Sequence, residues 1–157
     1  MTIQVKELTS EDELSAIWPF IQQLNPSMTH SDFAARLQKM REGGYRCAGA
    51  FDASGTLVGV SGFWLMTRFW CGTHVDIDNM VIDETRRGEG IGKALMAWVE
   101  NWGREQGCDV AVLDSYTQNF ASHKFYHREG FVIMGYHFLK PLHDAAKSII
   151  NREKTFR

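Results

Sequence analysis

The stretch Arg87-Gly88-Glu89-Gly90-Ile91-Gly92 stands between an apolar run ending at Ile82 and a stripe of Ile91, Leu95, Trp98, Val99 and Trp102 at helical spacing. Glycines there let the main chain approach a ligand closely, and a helix start presents unpaired N–H groups with positive potential. Together they suit an anionic group. Two familiar phosphate motifs do not fit. A dinucleotide fingerprint through Gly88 and Gly90 needs glycine where Lys93 stands. A P-loop ending at Gly92-Lys93 needs glycine at Arg87 and a hydroxyl at Ala94. Taken alone, the loop is equally well explained as a tight turn with close helix packing.

The second candidate is the run before it. Strand alternation puts His74, Asp76, Asp78, Met80 and Ile82 on one face and Val75, Ile77, Asn79 and Val81 on the other. An imidazole and two carboxylates in a row can accept a proton, directly or through water. A solvated strand face is the plain alternative, and for His74 it is preferred.

Other constellations are poorer. Asp114-Ser115 has no evident base nearby. Cys47, Cys71 and Cys108 are odd in number, far apart and form no CxxC pair, so they read as free thiols in a reducing cytoplasm. Cys47 reads as a small core hydrophobe, while Cys71 and Cys108 fall at turns. Among the histidines, His123 and His127 are four apart, but two ligands do not make a metal site, and no metal is expected.

The elements that must position these residues follow from patterning. Residues Ile3 to Leu8 alternate as a strand. Ser10 and Glu13 form a capping box ahead of Leu14, Ile17, Trp18, Ile21 and Leu24, with Pro19 predicting a kink or break. A helix is predicted from about Thr29–Ser31 to Gly43-Gly44. Strands are predicted over 45–51, 57–66 and 73–82, then a helix from Ile91 to about Gly107 and a strand over 109–113. A short helix over 119–128, a last strand over Phe131 to Leu139 and a short helix over 145–150 complete the chain. Strand–helix–strand order implies a parallel crossover, and the preceding sequential strands imply a mixed sheet with helices on both faces. With no repeat or linker, residues 1–157 are expected to form a single domain of mixed α and β type.

With its flanks, the glycine loop resembles the signature of the GNAT superfamily of N-acetyltransferases. Arg87-Gly88-Glu89-Gly90-Ile91-Gly92 matches that family's Arg/Gln-x-x-Gly-x-Gly/Ala element without a gap. Ile77 to Asp83 resembles its preceding strand, and Asn119 to Tyr126 with Glu129-Gly130-Phe131 resembles its Asn-x-x-Ala-x-x-Phe-Tyr…Gly-Phe element. Ser122 departs from the pattern, standing where alanine is usual. The correspondence spans about Asp76 to Phe131, and the earlier residues match only in element order.

The resemblance implies a three-layer α/β fold around a central mixed, mostly antiparallel sheet, and acetyl transfer from acetyl-CoA to a primary amine through a ternary complex. It implies that amides from Gly88 to Lys93, including Glu89 and Ile91, hold the coenzyme A pyrophosphate with Arg87 alongside. The pantetheine arm would pair with Met80, Val81 and Ile82, and Asn119 and Ser122 would contact the cofactor. The amine must lose a proton, the oxyanion needs a fixed donor, and the departing thiolate benefits from an acid. The resemblance makes Asp78 the preferred base, Asp76 the second choice and Tyr126 the acid, with an N–H near Met80 or Val81 as oxyanion donor. A longer acyl donor, an O-acyl acceptor, or a non-enzymatic coenzyme A-binding module are the rival readings.

The family's acceptor pocket would draw on Trp18, Phe20, Phe63, Trp64, Phe69 and Trp70, which beside acids would suit a cationic amine with an apolar part. Most of them read equally well as core. The acceptor that the resemblance implies is a small-molecule or peptide amine. At 157 residues, 44% hydrophobic and a net charge of −2, the chain shows no basic footprint for nucleic acid and no membrane-length apolar run. A homodimer is possible by analogy with the family.

Overall fold

The computed structural model describes residues 2–150 and divides into two compact units, Met1–Leu113 and Asp114–Arg157. The first unit holds a five-stranded sheet in the order β1-β2-β3-β4-β5. Its strands are β1 (Gln4–Leu8), β2 (Arg46–Phe51), β3 (Leu57–Arg68), β4 (Gly72–Ile82) and β5 (Val110–Leu113). Only β4 and β5 run parallel, as the crossover through a helix demands. The mixed, mostly antiparallel sheet is the one expected.

Helices cover both faces. On one side lie α1 (Glu11–Ser15), α2 (Trp18–Leu24) and α3 (His30–Glu42). Their apolar residues Leu14, Ile17, Phe20 and Phe33 close over Val60 and Val81 of the sheet. The Ser10–Glu13 capping box is formed. Pro19 produces a break: the segment splits into α1 and α2, and the proline sits in the first turn of α2, where its missing N–H has no helical partner to lose.

On the other side lies α4 (Ile91–Glu105), whose Ile91, Leu95, Met96 and Val99 are fully buried. Phe63 packs 4.9 Å from the Trp102 ring and 6.1 Å from that of Trp98. Fully burying such a side chain contributes roughly 1.5–3 kcal/mol, so this stripe is a principal anchor of helix to sheet. Tight approach is also visible at Gly103, where a Cβ would lie 3.1 Å from Val75 Cγ1.

The second unit contains α5 (Phe120–Arg128) and α6 (Lys147–Ile150), the latter preceded by a 3₁₀ turn at Asp144–Ala146. The strand expected over Phe131 to Leu139 is not there. Those residues form no ladder, and Val132, Met134, Tyr136 and Phe138 are 71–90% exposed. Alternation defines a strand only where a neighbour accepts its backbone bonds. Within this unit the described residues include no strand to pair with.

Candidate functional site

The loop after β4 is built to leave its amides open. A 3₁₀ turn, Glu84–Arg86, leads from Asp83 into Arg87. Gly88 and Gly90 then take φ values of 87° and 84°, the left-handed region that a Cβ disfavours, and nothing lies within 4 Å of where a Cβ would sit. Glycine serves backbone conformation there, not packing. Gly90 is the N-cap of α4 without a side-chain cap, and the first helical bond runs from Ala94 N to Gly90 O at 3.0 Å. Among the described residues, no amide from Gly88 to Lys93 donates to a protein acceptor. Ile91 is buried and fixes the helix start, while the Arg87 and Lys93 side chains are exposed beside it. A helix start with unused amide donors and two exposed basic side chains beside it fits a diphosphate.

Arg86, which patterning did not single out, braces the loop. Its Nη1 lies 3.1 Å from Asp52 Oδ2, and its Nε lies 3.0 and 2.8 Å from the two Glu89 carboxylate oxygens. Asp52 is itself held in the β2–β3 turn, accepting from the amides of Ser54 and Thr56. Hydrogen bonds from Ser54 and then Arg86 hold its carboxyl far below the usual range.

Strand β4 changes character midway. It pairs with β3 along its whole length, but with β5 only from His74 to Ile77. Residues 78–82, including Met80, Val81 and Ile82, therefore present backbone groups with no ladder partner on the β5 side. An extended ligand can pair there as an added strand. The same point carries a β-bulge: Phe63 pairs with Ile77 and Gly62 with Asn79, so Asp78 is the extra residue.

That bulge corrects the face assignment made from alternation. Phe63, on the α4 side, shares its face with Ile77, and Ile82 meets Ile91 of α4 around Gly59. Val81 belongs instead to the α1–α3 cluster, and Asn79 Oδ1 accepts from Tyr45 Oη at 3.0 Å on that side. Hence Val75, Ile77, Met80 and Ile82 face α4, whereas His74, Asp76, Asn79 and Val81 face the other way. Asp78 belongs to neither row and is exposed. An inserted residue resets a period of two, and nothing in residue types reveals it.

The two acids thus differ. Asp76 is paired with Arg68, Oδ2 to Nη2 at 3.1 Å, and lies 4.0 Å from His74 Nε2. Asp78 lies near enough to Tyr45 to raise its phenol further, although burial is the larger cause. Asn79 Nδ2, Ser61 Oγ and His74 Nε2 are buried without a partner among the described residues. Of the aromatic set, Phe20 and Phe63 are core and Trp18 packs against the α1–α3 cluster. Trp64 stacks edgewise on Tyr45 at 5.4 Å, and Phe69 and Trp70 are exposed at the hairpin tip.

In the second unit, Asn119 caps α5, its Oδ1 accepting from Ser122 N at 3.2 Å. Tyr126 sits on the same helix with its ring 5.4 Å from Phe125 and 5.9 Å from Phe131. Burial raises its phenol above the ordinary 10, so at neutral pH it is a proton donor.

Comparison with known proteins agrees with this geometry. The chain is 26% identical over 142 residues to the uncharacterized N-acetyltransferase YhdJ of Bacillus subtilis, covering 89% of this chain and 99% of that one. A Trypanosoma brucei acetyltransferase structure superposes with a TM-score of 0.71 at 25% identity, covering 90% of this chain and all of that one. The aminoglycoside N-acetyltransferase AAC(6')-Iy, solved in complex with CoA, superposes with a TM-score of 0.76 at 18% identity, covering 89% and 94%. The family model for GNAT acetyltransferases matches residues 9–131, most of the first unit and the opening part of the second, and the chain belongs to that family.

Proposed function

We propose that this chain, acting as one acyltransferase domain, moves an acetyl group from acetyl-CoA directly to a primary amine. The observation that carries this reading is the conjunction on one strand-loop-helix segment of two backbone surfaces: the edge at 78–82, which has no ladder partner on the β5 side and where Ile82 O accepts from Gln23 Nε2 at 3.3 Å, and the unused amides from Gly88 to Lys93. One suits an extended pantetheine arm, the other a diphosphate, in the order those groups occur in coenzyme A.

Bound there, acetyl-CoA would supply the activated acyl group as a thioester. The residues of this chain do the rest. Arg87 and Lys93 flank the amides that hold the diphosphate. Met80, Val81 and Ile82 align the arm, and an N–H near Met80 or Val81 holds the carbonyl oxygen. Asn119 and Ser122 contact the cofactor. Asp78 takes the proton of the amine, directly or through water. It is preferred to Asp76 because it is exposed at the bulge where the open edge of β4 begins. Tyr126 returns a proton to the departing sulfur. The acceptor is a small-molecule or peptide amine, and the soluble reaction is assigned to the cytoplasm.

Thermal unfolding with acetyl-CoA, coenzyme A and NADH tests the cofactor. A ligand that binds the native state raises the melting temperature by mass action. A rise with both coenzyme A forms and none with NADH is expected, followed by coenzyme A release in a screen of amines. No rise with millimolar acetyl-CoA would overturn the proposal.

A further inference from the structure

At the far end of β4 from the open edge lies a cluster that acyl transfer does not use. Cys71 is half-buried in the turn between β3 and β4, and its Sγ is 3.4 Å from His74 Nδ1. The imidazole is fully buried. Its Nδ1 also lies 3.2 Å from Gly72 O, and its Nε2 lies 4.0 Å from Asp76 Oδ2. Arg68 holds that same carboxylate oxygen at 3.1 Å. Thiol, imidazole and carboxylate are therefore in series, with the ring locked between them by its backbone contact.

Hydrogen-bond accounting gives the cluster a direction. A neutral ring with its proton on Nδ1 donates to Gly72 O, has no lone pair there for the thiol proton and leaves Nε2 buried without a partner; with the proton on Nε2, that N–H faces the Asp76 carboxylate and the Nδ1 lone pair faces Cys71 Sγ. A ring that has taken the thiol proton faces the sulfur and Gly72 O through Nδ1–H, and Asp76 through Nε2–H. The other two cysteines have no such neighbour. Burial pushes the Cys47 thiol up to about 12, and burial with the Asp109 charge raises Cys108. The turn itself is open: Phe69 and Trp70 beside Cys71 are 113% and 62% exposed.

We propose that Cys71 is a thiol-modification site, activated by His74, for low-molecular-weight disulfides. The Cys71 proton passes to His74 Nδ1, and the thiolate attacks one sulfur of the disulfide. A bond forms between Cys71 Sγ and that sulfur as the original S–S bond breaks, and the other half leaves as a thiolate that collects the proton. No net oxidant beyond the disulfide is consumed.

The test is the rate of mixed-disulfide formation with glutathione disulfide, read by mass spectrometry of digested protein. The reference is a synthetic peptide of residues 67–73, whose cysteine is fully exposed and lacks the imidazole. Burial alone would make Cys71 slower than the peptide. Activation makes it faster, by at least about fivefold once the gain in thiolate is set against its lower nucleophilicity. Cys108 in the same digest should lag behind the peptide. His74→Gln should bring Cys71 to the peptide rate or below it. A wild-type Cys71 no faster than the peptide overturns the proposal whether or not the His74 variant folds.

Discussion

Arg86 reaches across the sheet end to Asp52, Nη1 to Oδ2 at 3.1 Å, and so ties the loop after β4 to the turn between β2 and β3. Because Arg86 also grips Glu89 inside that loop, the bracing is two-sided and precedes any ligand. Preorganised amides bind an anion without paying the ordering cost at that moment.

Replacing the brace should therefore show in affinity. Asp52→Asn keeps the shape of the turn and removes the charge. The pair is solvent-screened, so the loss is modest, and coenzyme A should bind up to about fivefold more weakly. Isothermal titration with coenzyme A measures it. Unchanged affinity would mean the loop holds its shape without the Arg86–Asp52 ion pair.

Tyr126→Phe removes the proposed acid and leaves the ring contacts to Phe125 and Phe131. General acid catalysis is typically worth about 10²–10⁴-fold, so kcat should fall by at least about a hundredfold. Coenzyme A affinity should be largely kept. Loss of binding with turnover preserved per bound molecule would reassign Tyr126 to the cofactor site.

The two acids separate by the same logic. Asp78→Asn should lower kcat by about a hundredfold or more, whereas Asp76→Asn should act mainly through a modest loss of stability, since it removes the charge that pairs with Arg68. Paired measurements of kcat and urea midpoint distinguish these outcomes. The reverse ranking would make Asp76 the base.

Acid stability carries a signature at the capping box. Glu13 is lowered from an ordinary 4.5 to about 2, chiefly by its hydrogen bond from Lys6 and then by the amides of Thr9 and Ser10. A depressed carboxylate stabilises the fold above its unfolded value and loses that contribution as pH falls toward the folded one. Glu13 should thus support α1 fully above about pH 4.5 and fail progressively between there and about pH 2. In Glu13→Gln, the melting temperature should fall less steeply across that window than in the wild type.

Much of the fold was legible because it rests on local signals. The Ser10–Glu13 box, the stripe on α4 and the glycine loop each encode geometry in adjacent residues. The site was less so. Arg86–Asp52, Arg68–Asp76 and Tyr45–Asn79 join residues on different strands or turns, and no spacing along the chain announces them. The bulge at Asp78 is a register property shared by two strands, so alternation misplaced Met80 and Ile82 together with Asp78. Residues 131–139 failed for the opposite reason: their pattern is strand-like, but a pattern does not supply a ladder.

The half-open β4 also bears on how this chain tolerates change. A ligand seated along residues 78–82 draws its hydrogen bonds from the main chain, which every residue except proline offers in full. Apart from Asp78, side chains there would be free to drift as long as the core beneath them stays filled. Proline at an edge-facing position would be the one replacement that erases a donor outright. A recognition surface of that kind would be nearly blind to mutation, while side chains facing an acceptor would remain free to change what is modified.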